Sequence, residues 1–130
     1  MRRKLIKKID RIFSKYIRLK HADHAGNCTC ITCGKKAKWD SGQIHAGHFV
    51  SRRFLVTRFD ERNVYPQCAY CNNWLAGNQY MFGKAIDRIH GEGTADELMI
   101  LSKKTIKIEN YELDEIFCTV SKYLLTLSNK

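Results

Sequence analysis

Four cysteines fall into two pairs of equal spacing, Cys30-x-x-Cys33 in "CITCGKK" and Cys68-x-x-Cys71 in "CAYC", with 34 residues between the pairs. Two such knuckles can close one tetrahedral site, with Zn–S bonds of about 2.3 Å. Gly34 follows the first pair directly. A glycine there lets the backbone turn back so that its amides point at the sulfurs. Four thiolates leave no open coordination position, so the ion expected is a structural zinc and not a catalytic one. Cys28 could supply the first ligand in place of Cys30, but the two-residue spacing and Gly34 favour Cys30. Cys28 and Cys118 read as ordinary thiols, with Cys118 on the apolar stripe of the last helix. The central segment is short and polar. Without metal it could hardly bury enough surface to fold, so its folding is expected to depend on zinc.

His45, His48 and Asn63 lie between the two pairs, and Asn72 follows the second. Taken singly they say little. A lone histidine is more often a surface or packing residue than a catalyst, Asn63 fits a turn, and Asn72 fits a helix N-cap. Their order carries more. "NVYPQCAYCN" resembles the second half of an HNH nuclease motif, and "GHF", fifteen residues before Asn63, resembles the first half. Residues 30–78 as a whole resemble an HNH (ββα-metal) nuclease finger built on a treble-clef zinc knuckle. The arrangement is similar to that of the phage endonuclease VII junction resolvases, which also place Asn directly after the last zinc cysteine. "AGHFVSRRFLVTRFDERNVYPQCAYCNNWLAGN" is more similar still to the phage NinG family, also called Rap recombinases, through "AGHF", "RFDERN", "QC..CN" and "GN".

The resemblance implies a metal-dependent endonuclease acting on branched recombination intermediates, such as Holliday junctions and D-loops. It also implies a phage-encoded protein of the bacterial cytoplasm. It makes His48 the base that activates water, Asn63 the residue that orients its ring, and Asn72 an oxygen ligand to a catalytic Mg²⁺ or Mn²⁺. The chemistry suits these residue types. Phosphodiester cleavage needs a base and a cation to stabilise the pentacoordinate phosphate. A neutral imidazole serves as the base, and hard cations take oxygen ligands. The wider superfamily often carries Asp or His directly before the catalytic histidine, where this chain has Gly47. His45 is the first candidate for the missing ligand, narrowly ahead of Asp60, with Asp40 and Glu61 behind. On a strand His45 and His48 point to opposite faces, so a bend at Gly47 is expected to bring them together.

The formal charge is +10, and residues 1–22 hold nine Lys and Arg against one Asp. Such one-signed density is repulsive unless a polyanion neutralises it, and nucleic acid comes ahead of membrane. The expected phosphate contacts are Arg2, Arg3, Lys4, Lys7, Lys8 and Arg11, together with Arg52, Arg53 and Arg58 near the motif. Lys103, Lys104 and Lys107 read as solvated surface. No uninterrupted apolar stretch could span a membrane, and the N-terminus does not read as a signal peptide. In a reducing cytosol, disulfides are not expected.

The elements that must position these residues follow from periodicity. Leu5, Ile6, Ile9, Ile12, Phe13, Tyr16 and Ile17 predict an amphipathic helix over 3–20 with a basic outer face. Residues 28–71 predict a small hairpin. From Asn72, Trp74, Leu75, Asn78, Met81, Phe82, Ala85, Ile86 and Ile89 predict one helical stripe, stopped by "HGEG". Thr94 with Glu97 is a capping-box pattern for a short helix near 95–103. "TIKIENYE" fits an extended segment, and Leu113, Ile116, Phe117, Val120, Leu124 and Leu127 mark a last helix. The expected fold is mainly α with a small hairpin, a zinc-knuckle centre (28–90) and flanking helices (1–27 and 91–130) in one domain. The stripes of the first and last helices read as core rather than dimer contacts, although paired nicks would suit a symmetric homodimer. Two other functions fit the residues less well. One is a non-catalytic zinc-dependent DNA-binding module, which has no need of the His–Asn–Asn order. The other is a sequence-specific HNH endonuclease, for which 130 residues leave little room.

Overall fold

The apolar stripe near the N-terminus forms helix α1 (Arg2–Lys20), which buries Ile9, Phe13, Tyr16 and Ile17. The chain is seen in a computed structural model that describes residues 2–128. The last helix, α5 (Asn110–Ser128), packs along α1 and buries Leu113 and Val120. Arg2 fastens the two helices, donating to Asn110 Oδ1 and to the carbonyl of Ile108 at 2.6 Å each. Both stripes therefore serve the core, as expected. Cys118 departs from expectation: it is exposed on α5, not buried.

Between these helices lie two hairpins where one was expected. Strands β1 (Asn27–Thr29) and β2 (Lys36–Lys38) pair antiparallel across the first knuckle. Strands β3 (Ile44–His48) and β4 (Val64–Cys68) pair antiparallel, with Ile44 opposite Cys68 and His48 opposite Val64. The long β3–β4 connection holds a one-turn helix, α2 (Leu55–Arg58), and a 3-10 turn at Glu61–Asn63. Val64 and Ala46 face α1 in one core cluster, and Tyr65 and Phe49 face the following helices in another.

The stripe from Asn72 does not form one helix. A π-helical turn, Tyr70–Trp74, ends at Leu75, and α3 begins only at Gln79 and runs to His90. Ala76, Gly77 and Asn78 between them all adopt positive φ, at 48°, 89° and 48°. A helix cannot pass through such residues, so Trp74 and Leu75 leave the stripe and Phe82, Ala85 and Ile86 keep it. Helix α4 (Thr94–Ser102) is capped differently from the expected box. Gly93 is its N-cap, and the Thr94 hydroxyl donates back to the Gly91 carbonyl at 2.7 Å. Residues 105–109, expected as extended, form no strand. Among the described residues no helix is long and apolar enough to cross a membrane.

Candidate metal knuckle and active-site cleft

The sulfurs of Cys30, Cys33, Cys68 and Cys71 all lie within 4.8 Å of one another. Cys33 and Cys68 are 3.7 Å apart, close to the S–S edge of roughly 3.8 Å that a tetrahedron with ~2.3 Å bonds requires. Gly34 takes φ +82° and donates its N–H to the Cys30 carbonyl, the turn its position led one to expect. The Cys71 N–H points at Cys68 Sγ, 3.4 Å away. Burial works against a thiolate at Cys30, but the N–H of Cys68, the Thr32 hydroxyl and further amides outweigh it and hold the thiol down to about 6. Cys33 is pushed up to about 12 by burial and by sharing hydrogen bonds with the other three sulfurs. One negative charge is welcome here and further ones are not, unless a dication neutralises them. The four cysteines thus form a cluster that could hold a structural metal such as zinc. Cys28 is apart from it, buried in β1 with its thiol on the Arg18 carbonyl.

Beside the knuckle lies a cleft of about 750 Å³ lined by Asp10, Ser14 and Arg18 of α1, by His45 and His48 of β3, and by Asn72. Consecutive residues Ile44, His45 and Ala46 all line it, as they do when a cleft follows a strand's edge and not one face. No bend at Gly47 is needed or present, since the β3–β4 register runs through it unbroken.

His48 Nε2 lies 3.0 Å from the Arg58 carbonyl. That acceptor requires Nε2–H, which leaves Nδ1 with the free lone pair. Burial pushes the imidazole down to about 4, so it is neutral near pH 7. Asn63 does not orient the ring directly, contrary to expectation. It is fully buried; its Oδ1 accepts from Val50 N–H at 2.7 Å, and its Nδ2 donates to the carbonyls of Val50 and Thr57 at 3.1 Å each. The loop from 49 to 58 must carry its carbonyl to His48, and Asn63 fixes that loop one peptide away from Arg58.

His45 and Asn72 meet directly, with Asn72 Nδ2 3.0 Å from His45 Nδ1. Asn72 Oδ1 is then free for another partner. Asn72 sits in the π-helical turn and not at a helix N-terminus. The rival ligands are spent elsewhere: Asp60 pairs with Arg62, and Glu61 takes Lys20 and the Tyr16 hydroxyl. Asp40 is exposed and does not line the cleft.

Two residues matter that the sequence reading passed over. Asp10, the single acid of the basic segment, grips Arg58 at 2.9 and 2.5 Å. Arg58 is therefore an internal strut and not a free phosphate contact, a correction to the expected DNA-binding set. The isolation of Asp10 among nine basic residues was a signal available in advance. Gln67 is fully buried, and its amide donates to the Gly77 carbonyl at 2.6 Å. It also explains Gly47: a Cβ there would lie 2.3 Å from Gln67 Oε1 and 2.8 Å from its Cβ. Gly47→Ala is expected to destabilise the fold by about 1–3 kcal/mol through overpacking, measured by urea unfolding. An unchanged midpoint would mean that Gln67 moves aside freely.

Of the remaining expected contacts, Arg3, Lys4, Lys7 and Arg11 are exposed. Arg2 is tied to α5 and Lys8 lies 4.8 Å from the Phe117 ring. Arg52 lines the cleft, and Arg53 stacks near Phe54.

Fold and site together define a mainly helical protein in which a four-cysteine knuckle able to hold metal buttresses a polar cleft. The family model described as "Bacteriophage Lambda NinG protein" matches residues 1–129, and the chain belongs to the NinG family. It is 34% identical over 97 residues to "Protein ninG" of Escherichia phage 933W and 33% over 97 to that of Escherichia phage lambda. To that of Salmonella phage P22 it is 31% identical over 96 residues. Each match covers 72% of this chain and 43% of the relative, so the chain spans under half the length of these relatives. No solved structure matches it.

Proposed function

We propose that the protein is a metal-dependent DNA endonuclease of the HNH kind that cuts branched DNA, with its treble-clef knuckle closed by a structural zinc. One observation carries the reading. The strand holding His45 and His48 pairs with the strand that ends in Cys68, and this places His45 on Asn72 in the same cleft as His48. A metal at the knuckle would fix Cys68 and Cys71, and so the two elements whose spacing sets the site. Asn72 Oδ1 would hold the catalytic Mg²⁺ or Mn²⁺, and His45 would join it through Nδ1 on giving up the hydrogen bond from Asn72 Nδ2. When bound, such an ion stabilises charge on the phosphate and on the leaving oxygen.

The chain's own residues do the rest. His48 Nδ1 accepts a proton from water while Nε2–H stays on the Arg58 carbonyl. A phosphodiester in the cleft favours the protonated ring and raises its affinity for that proton. Asp10 holds Arg58, and Asn63 holds Thr57, so the carbonyl that sets the tautomer is fixed from both sides. Arg3, Lys7 and Arg11 recur three and four residues apart with Ser14 and Arg18, so one basic face of α1 runs into the cleft wall. Two such centres, as in a homodimer, would serve the paired cuts a junction needs.

Binding to branched and linear DNA, with and without Mg²⁺, tests this reading. Branched DNA is expected to bind more tightly, with log K falling against log salt by about 0.9 for each phosphate contacted. Lys7→Gln together with Arg11→Gln should flatten that slope by nearly two contacts, whereas Arg58→Gln should act on stability instead. A flat salt dependence would make the basic face a solvated surface only. Preference for one linear sequence would favour a sequence-specific enzyme.

A further inference from the structure

Five large side chains stand exposed on one short segment: Tyr70, Trp74, Leu75, Tyr80 and Met81, with Trp74 82% and Tyr80 74% exposed. They alternate along the chain with Asn72, Ala76, Gly77 and Gln79, which line the cleft. The aromatic patch therefore borders the cleft, and it is held outward by construction. Cys71 is fixed in the knuckle, and its carbonyl accepts from Gly77 N–H at 2.9 Å. Gln67 grips the Gly77 carbonyl from inside. Ala76 and Asn78 take the left-handed conformation that L residues avoid, and strain of this sort persists only where the surroundings enforce it. Had the helix simply continued, Trp74 would share the buried stripe of Phe82.

The surroundings suit an anion that carries flat rings. No acidic residue occurs between Arg62 and Ile86. Lys84 Nζ lies 4.9 Å from the Tyr80 ring centroid, Arg52 is on the cleft wall, and the chain carries +10. Base stacking on exposed aromatic rings is tolerant of sequence, because every base has a π-face. We infer that Trp74 and Tyr80 stack on unpaired bases beside the phosphodiester that enters the cleft, and so read the branch point of the DNA. This rests on the nuclease reading for its substrate class, but the contact is one of binding and needs no cleavage.

The test uses zinc-loaded protein without added Mg²⁺ or Mn²⁺, so that absence of cutting leaves it readable. Trp39→Phe removes the only other tryptophan while keeping a ring beside Arg18. In that background a forked DNA with unpaired thymines should quench the Trp74 fluorescence, and a blunt duplex should not. Trp74→Ala should weaken binding to the fork about tenfold, the equivalent of roughly 1.4 kcal/mol for one stacked base, and leave duplex affinity nearly unchanged. Tyr80→Ala should act in the same direction. Absence of quenching, or equal loss on fork and duplex, overturns the proposal. So does a change of sedimenting mass of the DNA-free protein in Trp74→Ala, which would make the patch a contact between proteins. Quenching with no nicking in Mg²⁺ would count against the nuclease reading alone.

Discussion

Cys68→Ser or Cys71→Ser is expected to unfold the centre of the protein, and a strong chelator is expected to do the same to the wild type. Among the described residues, the cluster around these thiols contains besides the knuckle cysteines only Cys28 and Ile44 as buried residues, with Ala22, Ala37 and Trp39 packed against it. Strands β1 and β2 have three residues each. So little apolar burial cannot offset the entropy of ordering the segment. Structural zinc contributes apparent folding energies of about 10–16 kcal/mol in zinc-finger peptides, as much as a whole domain's net stability of about 5–15 kcal/mol. The consequence reaches the cleft, because Ile44 pairs with Cys68 and Asn72 follows Cys71. Elemental analysis should find one zinc per chain in the wild type, and melting followed by circular dichroism should show its loss on chelation. No zinc, or full thermal stability after chelation, would contradict this.

His48→Ala is expected to reduce nicking by about 10²–10⁴-fold, the usual cost of losing a general base. Zinc content and DNA affinity should stay near wild type, since the ring touches no cysteine of the cluster and its one hydrogen bond goes to a backbone carbonyl. The pH profile adds a second check. His48 is held near 4 by burial, below the ~6.5 of an unfolded histidine, so the unfolded chain binds the extra proton first. Its contribution to stability is therefore complete above about pH 6.5 and is lost as pH falls towards 4. The kcat/KM for nicking by the wild type, which reports the DNA-free protein, should accordingly show no inflection near ~6.5. If His48→Ala nicks at the wild-type rate, the cleft is not a nuclease centre of this kind.

What could be read in the residues was whatever depends on local spacing. The four cysteines and Gly34 specify a knuckle by themselves, and the stripes of α1 and α5 specify their buried faces. What escaped depends on contacts far apart in the chain. Asn63 looks like a partner for His48 by order alone, yet its amide is spent on Val50 and Thr57, two buried residues whose backbone groups need partners. Arg58 looks like a phosphate contact until Asp10, 48 residues earlier, is brought beside it. The helix expected from Asn72 has the right periodicity, but the knuckle and Gln67 pin Gly77, and three left-handed residues override the stripe. Gly47 looked like a missing ligand; it is a glycine because Gln67 fills the space of any side chain there.

The most direct measurement is the rate of nicking of a DNA junction as Mg²⁺ or Mn²⁺ is titrated into zinc-loaded protein, for the wild type, Asn72→Ala and His45→Ala. The expected result is saturable, cation-dependent nicking by the wild type, with both variants needing more cation to reach half-activation. Protein that carries zinc and binds the junction, yet cuts it at no concentration of either ion, would contradict the assignment of this cleft as a nuclease centre.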